Sequence, residues 1–274
     1  MTRLEDVLAG IDRLEPFPRT AVRVLELALG DAASSEIVAV IEQDPVLTGK
    51  VLNLANSASS GAKVEIESVF AATNRLGTKA VANLALTSGA SSVFHGYGSA
   101  TTRSNESLWM ECLYTACFAR RIARDDGRVD HELAYTVGLM QNIGHIVLDR
   151  FLDEERSQIA ELIEGGRDLL AAERAALGFD HAQCGALIVR RWGFPRRLVR
   201  GIQFHHSPNS AGDEGLLCTI TGLAEELALQ LLAGHDGRPA YIASHRSEDI
   251  VRPAEEALAE LEALVTQDIA DLNE

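Results

Sequence analysis

Apolar residues recur along this chain at intervals of three and four, the spacing that places one face of an α-helix against a core. Leu4, Val7, Leu8 and Ile11 form the first such stripe. Val22, Leu25, Ala28 and Leu29 form the second, after Pro18, a residue suited to a first helical turn. Asp44-Pro45 reads as a helix start, with Asp as N-cap and Pro at the first helical position, and Leu47, Val51, Leu54 and Ala55 then share a face. Ser68 opens another helix lined by Val69, Ala72, Thr73 and Leu76, and Gly77 fits a left-handed stop.

Between Phe94 and Asn105 the pattern lapses into Gly, Ser and Thr around His95-Gly96-Tyr97-Gly98, which marks a subdomain boundary. Leu108, Cys112, Thr115, Ala116, Ala119, Ile122 and Ala123 resume the helical stripe, and Leu133, Val137 and Met140 carry the next. Further helices are predicted over 178–192, 195–205 and 216–232, with breaks at Gly193-Phe194-Pro195 and Ser207-Pro208, and a charged helix from Pro253 to Leu272. No alternating strand pattern competes. The expected fold is all-α, with an N-terminal helical subdomain over residues 1–98 packed on a C-terminal helical subdomain over 99–274.

Composition adds limits rather than detail. A chain of 274 residues is long enough to bury most of its apolar surface, and 46% hydrophobic with 24% charged residues reads as an ordinary globular protein. Forty acidic against 25 basic residues give a net charge of -15, which repels nucleic acid and anionic membranes, so neither is an expected partner. Cys112, Cys117, Cys184 and Cys218 show no Cys-x-x-Cys spacing and are expected to be reduced, mostly buried thiols. The first residues carry acids where a signal peptide would be apolar, and no run of about 18 apolar residues is evident, so a cytoplasmic location is expected.

Several polar groups stand out against the apolar stripes. His205-His206 precedes Ser207-Pro208, where protonated imidazole gains from a helix C-terminus; ligation is the other reading. His181 follows Asp180 near a helix start and is either a ligand or an imidazole bonded to Asp180 or a carbonyl. His145, after Gly144, suits pH sensing or capping, and His131 beside Asp130 suits a solvated helix start. Arg190, Arg191, Arg196, Arg197 and Arg200 cluster around a turn. Arg196 and Arg200 share a helix face and could clamp a phosphate or acidic partner, although a solvated face balancing nearby acids is the simpler reading. Asn53, Asn56 and Asn83 read as structural amides, Trp192 as a core anchor, and Phe94 with Tyr97 as an apolar edge suited to docking. No Ser-His-Asp or Cys-His set is apparent.

Three stretches taken together resemble the HDOD family, the HD-related output domains of bacterial signalling proteins. The first is Gln43-Asp44-Pro45-Val46-Leu47-Thr48 running into Val51-Leu52-Asn53-Leu54-Ala55-Asn56-Ser57-Ala58, with Leu76-Gly77 and Asn83-Leu84-Ala85 beyond. The second is Leu108-Trp109, then Gly138-Leu139 and Ile143-Gly144. The third is Leu177-Gly178-Phe179-Asp180-His181, Trp192-Gly193-Phe194-Pro195 and His205-His206, so that the likeness covers roughly residues 12–230.

The resemblance implies a fold similar to HD-type metal phosphohydrolases, which bind one or two metals through a His, a His-Asp pair and a later Asp, with further His in two-metal members. Laid on that pattern, this chain has Glu111 for the first His, Gln141-Asn142 for the pair, and Gly222 near the last Asp. His181, His205 and His206 match the additional histidines. Amides are neutral and donate weakly, while two dications ~4 Å apart repel by ~16 kcal/mol at an effective dielectric of 20. The expectation is therefore a non-catalytic signalling module with no metal and no cofactor; were an ion held, Glu111, His181, His205 and His206 would hold it.

Glu111, Gln141, Asn142, His145, His181, His205 and His206 are expected to converge as a pocket, with a small nucleotide as its candidate ligand. No receiver or cyclase sequence accompanies them, so signalling proteins acting in trans are the expected partners. The alternative is a residual metal-dependent phosphohydrolase or cyclic-nucleotide phosphodiesterase. Nucleic-acid binding through the arginines ranks last against the acidic charge.

Overall fold

A computed structural model describes residues 9–14, 16–30, 32–57, 65–96, 105–151, 153–233, 262–267 and 269, and no strand occurs among them. The chain divides into two compact units, one of Pro16–Val93 with Thr266–Glu274, the other of Met1–Glu15 with Phe94–Val265. The division thus falls at Phe94 rather than after residue 98, and the segment up to Glu15 joins the larger unit. Asp12 gives the reason, since its carboxylate lies 2.7 Å from the Arg191 guanidinium and Ile11 beside it is buried.

The smaller unit contains α2 (Arg19–Leu29), α3 (Ser34–Ile41), α4 (Pro45–Asn56), α5 (Val69–Leu76) and all but the last turn of α6 (Thr78–Gly96). Asp44 caps α4 as its sequence predicts, accepting from the Val46 and Leu47 amides at 3.1 and 3.0 Å. Ser68 accepts from the Ala71 amide at 3.2 Å and starts α5. Pro18 stands at the N-cap of α2, one position before the expected first turn. Asn56 acts structurally as expected, donating to the Leu52 and Ile66 carbonyls and accepting from the Ile66 amide. Val24, Ile37, Ile41, Val51, Ala55 and Leu86 are fully enclosed in this unit's core.

In the larger unit, α1 (residues 9–13) is followed by α7 (Asn105–Asp126), α8 (His131–Met140), α9 (Gly144–Phe151), α10 (Asp153–Glu164), α11 (Leu169–Leu177), α12 (His181–Arg191), α13 (Arg196–Phe204) and α14 (Gly215–Leu232). Phe118, Leu113, Leu133, Met140, Ile188 and Ile202 fill the core. Gly178 ends α11 in the left-handed conformation, φ 85°, instead of opening the helix expected over 178–192. That helix starts at His181, where Asp180 and Gln183 form a reciprocal capping box.

Phe94 is 1% exposed and packs against Trp109 with ring centroids 5.7 Å apart, so it is a core residue and not a docking edge. Trp109 is buried, whereas Trp192, the expected anchor, is only half-buried as the C-cap of α12. Tyr97, the Leu4, Val7 and Leu8 stripe, and most of the helix expected from Pro253 to Leu272 lie outside the described residues. Contrary to the expectation that no such run exists, Gly212–Leu232 is long and apolar enough to cross a membrane by length and composition. Leu217, Cys218, Ile220, Ala224 and Ala228 are nevertheless buried against protein, which makes α14 the core helix of this unit.

Candidate functional site

The seven residues expected to converge come from five places in the larger unit. Glu111 lies on α7, Gln141 and Asn142 in the turn after α8, and His145 in the first turn of α9. His181 opens α12, and His205-His206 close α13. Gly144 allows the close crossing, because a Cβ there would collide with the His181 carbonyl oxygen and lie 2.8 Å from the Gly185 nitrogen. With hydrogen in that place, α9 and α12 bring His145 and His181 into a stacked pair, ring centroids 4.2 Å apart and 20° from parallel.

Asn142 organises the acidic half of the site. It is 1% exposed, and its Nδ2 donates to Glu111 Oε1 at 2.8 Å and to Glu225 Oε1 at 3.2 Å. One neutral NH₂ thus joins two buried carboxyl groups, which is the position where a cation would otherwise serve. Among the described residues, the Asn142 carbonyl oxygen and both polar atoms of the fully buried Gln141 have no hydrogen-bond partner. Glu225 is a residue the sequence reading missed. It sits three residues beyond Gly222, where the last Asp of the HD pattern was sought, and a carboxylate inside an otherwise apolar helix was the available signal.

The histidine half is equally enclosed. Glu173 Oε2 accepts from the His181 backbone amide at 2.9 Å and lies 2.8 Å from His181 Nδ1. The partner of His181 is therefore Glu173, also missed from sequence, while Asp180 caps α12 and pairs with Arg174. His181 Nε2 faces His206 Nε2 at 2.9 Å. His205 is fully buried, and its Nδ1 must donate to the Ile202 carbonyl at 2.6 Å. His206 Nδ1 lies 3.8 Å from Glu225 Oε2, so Glu225 reaches both halves of the site.

Burial disfavours a charged His181, yet the Glu173 carboxylate, by charge and hydrogen bond, with Glu225 and Asp180 beyond it, outweighs burial and holds its pKa above the usual histidine value. The pocket thus favours positive charge at this ring.

An ion set of Glu111 with three histidines does not form as a unit. The ligating nitrogens of His181, His205 and His206 lie within 4.8 Å of one another, and a second set of that tightness is His145, Glu173 and His181. Glu111 belongs to neither of these sets and is instead bonded to Asn142. Among the described residues, the chemistry of the first set is that of a single ion on imidazoles.

The arginine cluster is dispersed. Arg191 pairs with Asp12, Arg197 with Glu214 at 3.0 Å, and Arg200 donates to the Ala211 carbonyl at 2.6 Å while lying over Phe204. Arg196, one helical turn before Arg200, is exposed, as is Arg190. All four cysteines are buried free thiols. Burial, with Glu173 and Asp180, pushes the Cys184 thiol far up, and burial with Glu214 pushes Cys218 up to about 12 despite Arg200.

Helical architecture around an enclosed polar pocket defines an all-α class of protein. The HDOD domain pattern matches residues 14–208, and the chain belongs to the HDOD family. Among solved structures, it is similar to an HDOD domain protein of Geobacter sulfurreducens, with 22% identity and a TM-score of 0.72 over 98% of this chain and 95% of that one. A candidate phosphohydrolase of Shewanella amazonensis SB2B gives 24% identity and 0.71 over 97% and 95%. A candidate signal transduction protein of Marinobacter aquaeolei VT8 gives 24% and 0.67 over 98% and 62%. At such identities the likeness establishes the fold. An uncharacterized protein of Treponema pallidum (strain Nichols) is 29% identical over 212 residues, which span 74% of this chain and 40% of that protein.

Proposed function

We propose that this HDOD chain is a regulatory module of signal transduction that acts by contacting other proteins and does not hydrolyse phosphodiesters. The observation that carries this reading is the Asn142 side chain, whose amide nitrogen joins Glu111 and Glu225 where a hydrolytic centre needs anionic ligands and a cation. An Asn there removes the charge that would hold the second metal. Family membership and the likeness to a candidate signal transduction protein support the regulatory part.

The test is hydrolysis by the tag-free full chain of cyclic mononucleotides, cyclic dinucleotides and a chromogenic phosphodiester, with added Mn²⁺. The expected outcome is turnover indistinguishable from buffer. Activity that disappears in His181→Ala would overturn the proposal and establish the residual phosphohydrolase, a reading that the three convergent histidines keep alive. Co-purification from the native cell, followed by identification of the retained proteins, tests the contact role. A small nucleotide in the pocket would raise the melting temperature.

A further inference from the structure

We propose that the corner joining α12 and α13 docks an acidic segment of a partner protein, with Arg190 and Arg196 as its charged contacts and Trp192 as its apolar anchor. The inference rests on the regulatory reading and gives that reading a surface. From Arg190 to Phe204 the chain carries five arginines and no acidic residue, within a protein of net charge -15. Arg191 and Arg197 are tied to Asp12 and Glu214, and Arg200 to the Ala211 carbonyl. Arg190 and Arg196 are exposed, and among the described residues neither guanidinium has a hydrogen-bond or ion-pair partner. Asp12 and Glu214 offset only part of the arginine charge, so the corner keeps a local positive excess.

The corner is also built to hold its shape. Gly193 closes α12 at φ 84°, its amide donating to the Arg190 carbonyl at 3.1 Å while the Phe194 amide donates to the Val189 carbonyl at 3.0 Å. Phe194 and Leu198 are buried and fasten the turn, whereas Trp192 stays half-buried at the C-cap of α12. Tryptophan and arginine are the residues enriched where protein partners bind most tightly. A turn already fixed lowers the ordering cost of that binding.

Charge selects the occupant. A guanidinium pairs with a carboxylate through two parallel N–H donors, a geometry that acidic side chains meet directly. Surface charges more than about 8–10 Å apart are largely screened at physiological salt, so a short acidic stretch feels mainly the corner. A long polyanion, such as nucleic acid or an anionic bilayer, extends past it onto a protein of net charge -15 and is repelled.

The test is fluorescence anisotropy of a labelled oligoglutamate peptide titrated with the full chain, beside a single-stranded oligonucleotide of equal charge. The peptide is expected to bind more tightly, to release as salt rises, and to alter Trp192 emission, since Trp109 is buried. Arg190→Glu/Arg196→Glu should melt with wild type yet weaken peptide binding by roughly tenfold or more. Arg124→Glu/Arg167→Glu reverses two exposed arginines elsewhere, changes the net charge equally, and should leave binding nearly unchanged. No peptide binding, unchanged affinity in Arg190→Glu/Arg196→Glu, equal loss in both double variants, or tighter binding of the oligonucleotide would overturn the docking site. Co-purification from the native cell separates this inference from the reading beneath it. Proteins retained by wild type and lost in Arg190→Glu/Arg196→Glu support the corner; proteins retained equally by both overturn it and leave the regulatory reading standing. Retention of no protein at all defeats the regulatory reading and this surface with it.

Discussion

Asn142→Asp changes one atom of the pocket, exchanging the amide nitrogen for an oxygen, and it reverses the role of that atom from donor to acceptor. Nδ2 now lies 2.8 Å from Glu111 Oε1 and 3.2 Å from Glu225 Oε1. An ionised Asp in its place would set two like-charge pairs at about 3 Å, roughly 5 kcal/mol each at an effective dielectric of 20, and relaxation to about 4 Å still leaves ~4 kcal/mol each. Two hydrogen bonds to carboxyl groups, ~1.5–3 kcal/mol each, vanish as well.

That sum rivals the whole stability of a domain, ~5–15 kcal/mol, so the variant must relieve it by taking up a proton or a cation. With one carboxyl protonated, a net loss of about 3–5 kcal/mol is reasonable, or roughly 10 °C in melting temperature for a unit of this size. In EDTA the variant should therefore melt well below wild type. Mn²⁺ should restore much of the difference, about 2.7 kcal/mol at one hundred times its dissociation constant. Differential scanning calorimetry with and without Mn²⁺ makes the measurement. A variant that melts within 1–2 °C of wild type in EDTA, and ignores Mn²⁺, would refute the cation-substitute role of the Asn142 amide.

Three further outcomes follow from the same geometry. Gly144→Ala drives a methyl group into the His181 carbonyl, so α9 and α12 must separate; a loss of at least 2 kcal/mol, of the order found for overpacking, is expected in urea titration, and an unchanged midpoint would show that the crossing yields freely. Gln141→Met removes two buried amide atoms that lack partners among the described residues, so calorimetry should show equal or higher stability by up to ~1–3 kcal/mol, whereas a clear fall would reveal a partner such as ordered water. The buried Cys184 and Cys218 thiols ionise well above an unfolded thiol near ~8.5, so their contribution is intact below that pH and is lost as pH rises toward the folded values, about 12 for Cys218. Urea stability should thus fall by up to ~1.4 kcal/mol per pH unit per thiol above pH ~9, and Cys184→Ala/Cys218→Ala should flatten that slope if the reasoning holds.

Helix starts were legible because their chemistry is local. Asp44 caps α4 and Ser68 caps α5 through atoms two or three residues away, and such signals survive in one dimension. α6 was not, since Thr78–Gly96 is built largely of Ala, Ser, Thr and Gly and presents no bulky stripe. Gly178 was assigned to the wrong helix because a glycine looks alike as an opener and as a left-handed stop. The pocket divides in the same way. His181, His205, His206 and the two amides were visible as residue types, but Glu173 and Glu225 lie eight residues before His181 and 83 beyond Asn142, and only folding brings those carboxylates to them.

Glu225 ties the two halves of the pocket together, and this decides how their charges must balance. One of its oxygens accepts from Asn142 and the other faces His206 Nδ1 at 3.8 Å. Any change that raises the negative charge beside Asn142 also strengthens the field that favours positive charge on the His181–His206 pair. Asn142→Asp should therefore favour positive charge on the histidines to the extent that the new carboxylate stays ionised, and a proton or cation taken up by the acidic half cancels that effect. The two perturbations are coupled through a shared carboxylate, so their effects should be non-additive in a double-mutant cycle of Asn142→Asp with His206→Gln. A coupling energy within ~0.5 kcal/mol of zero would mean that Glu225 does not transmit between the halves, and that the pocket consists of two independent polar sites which happen to be neighbours.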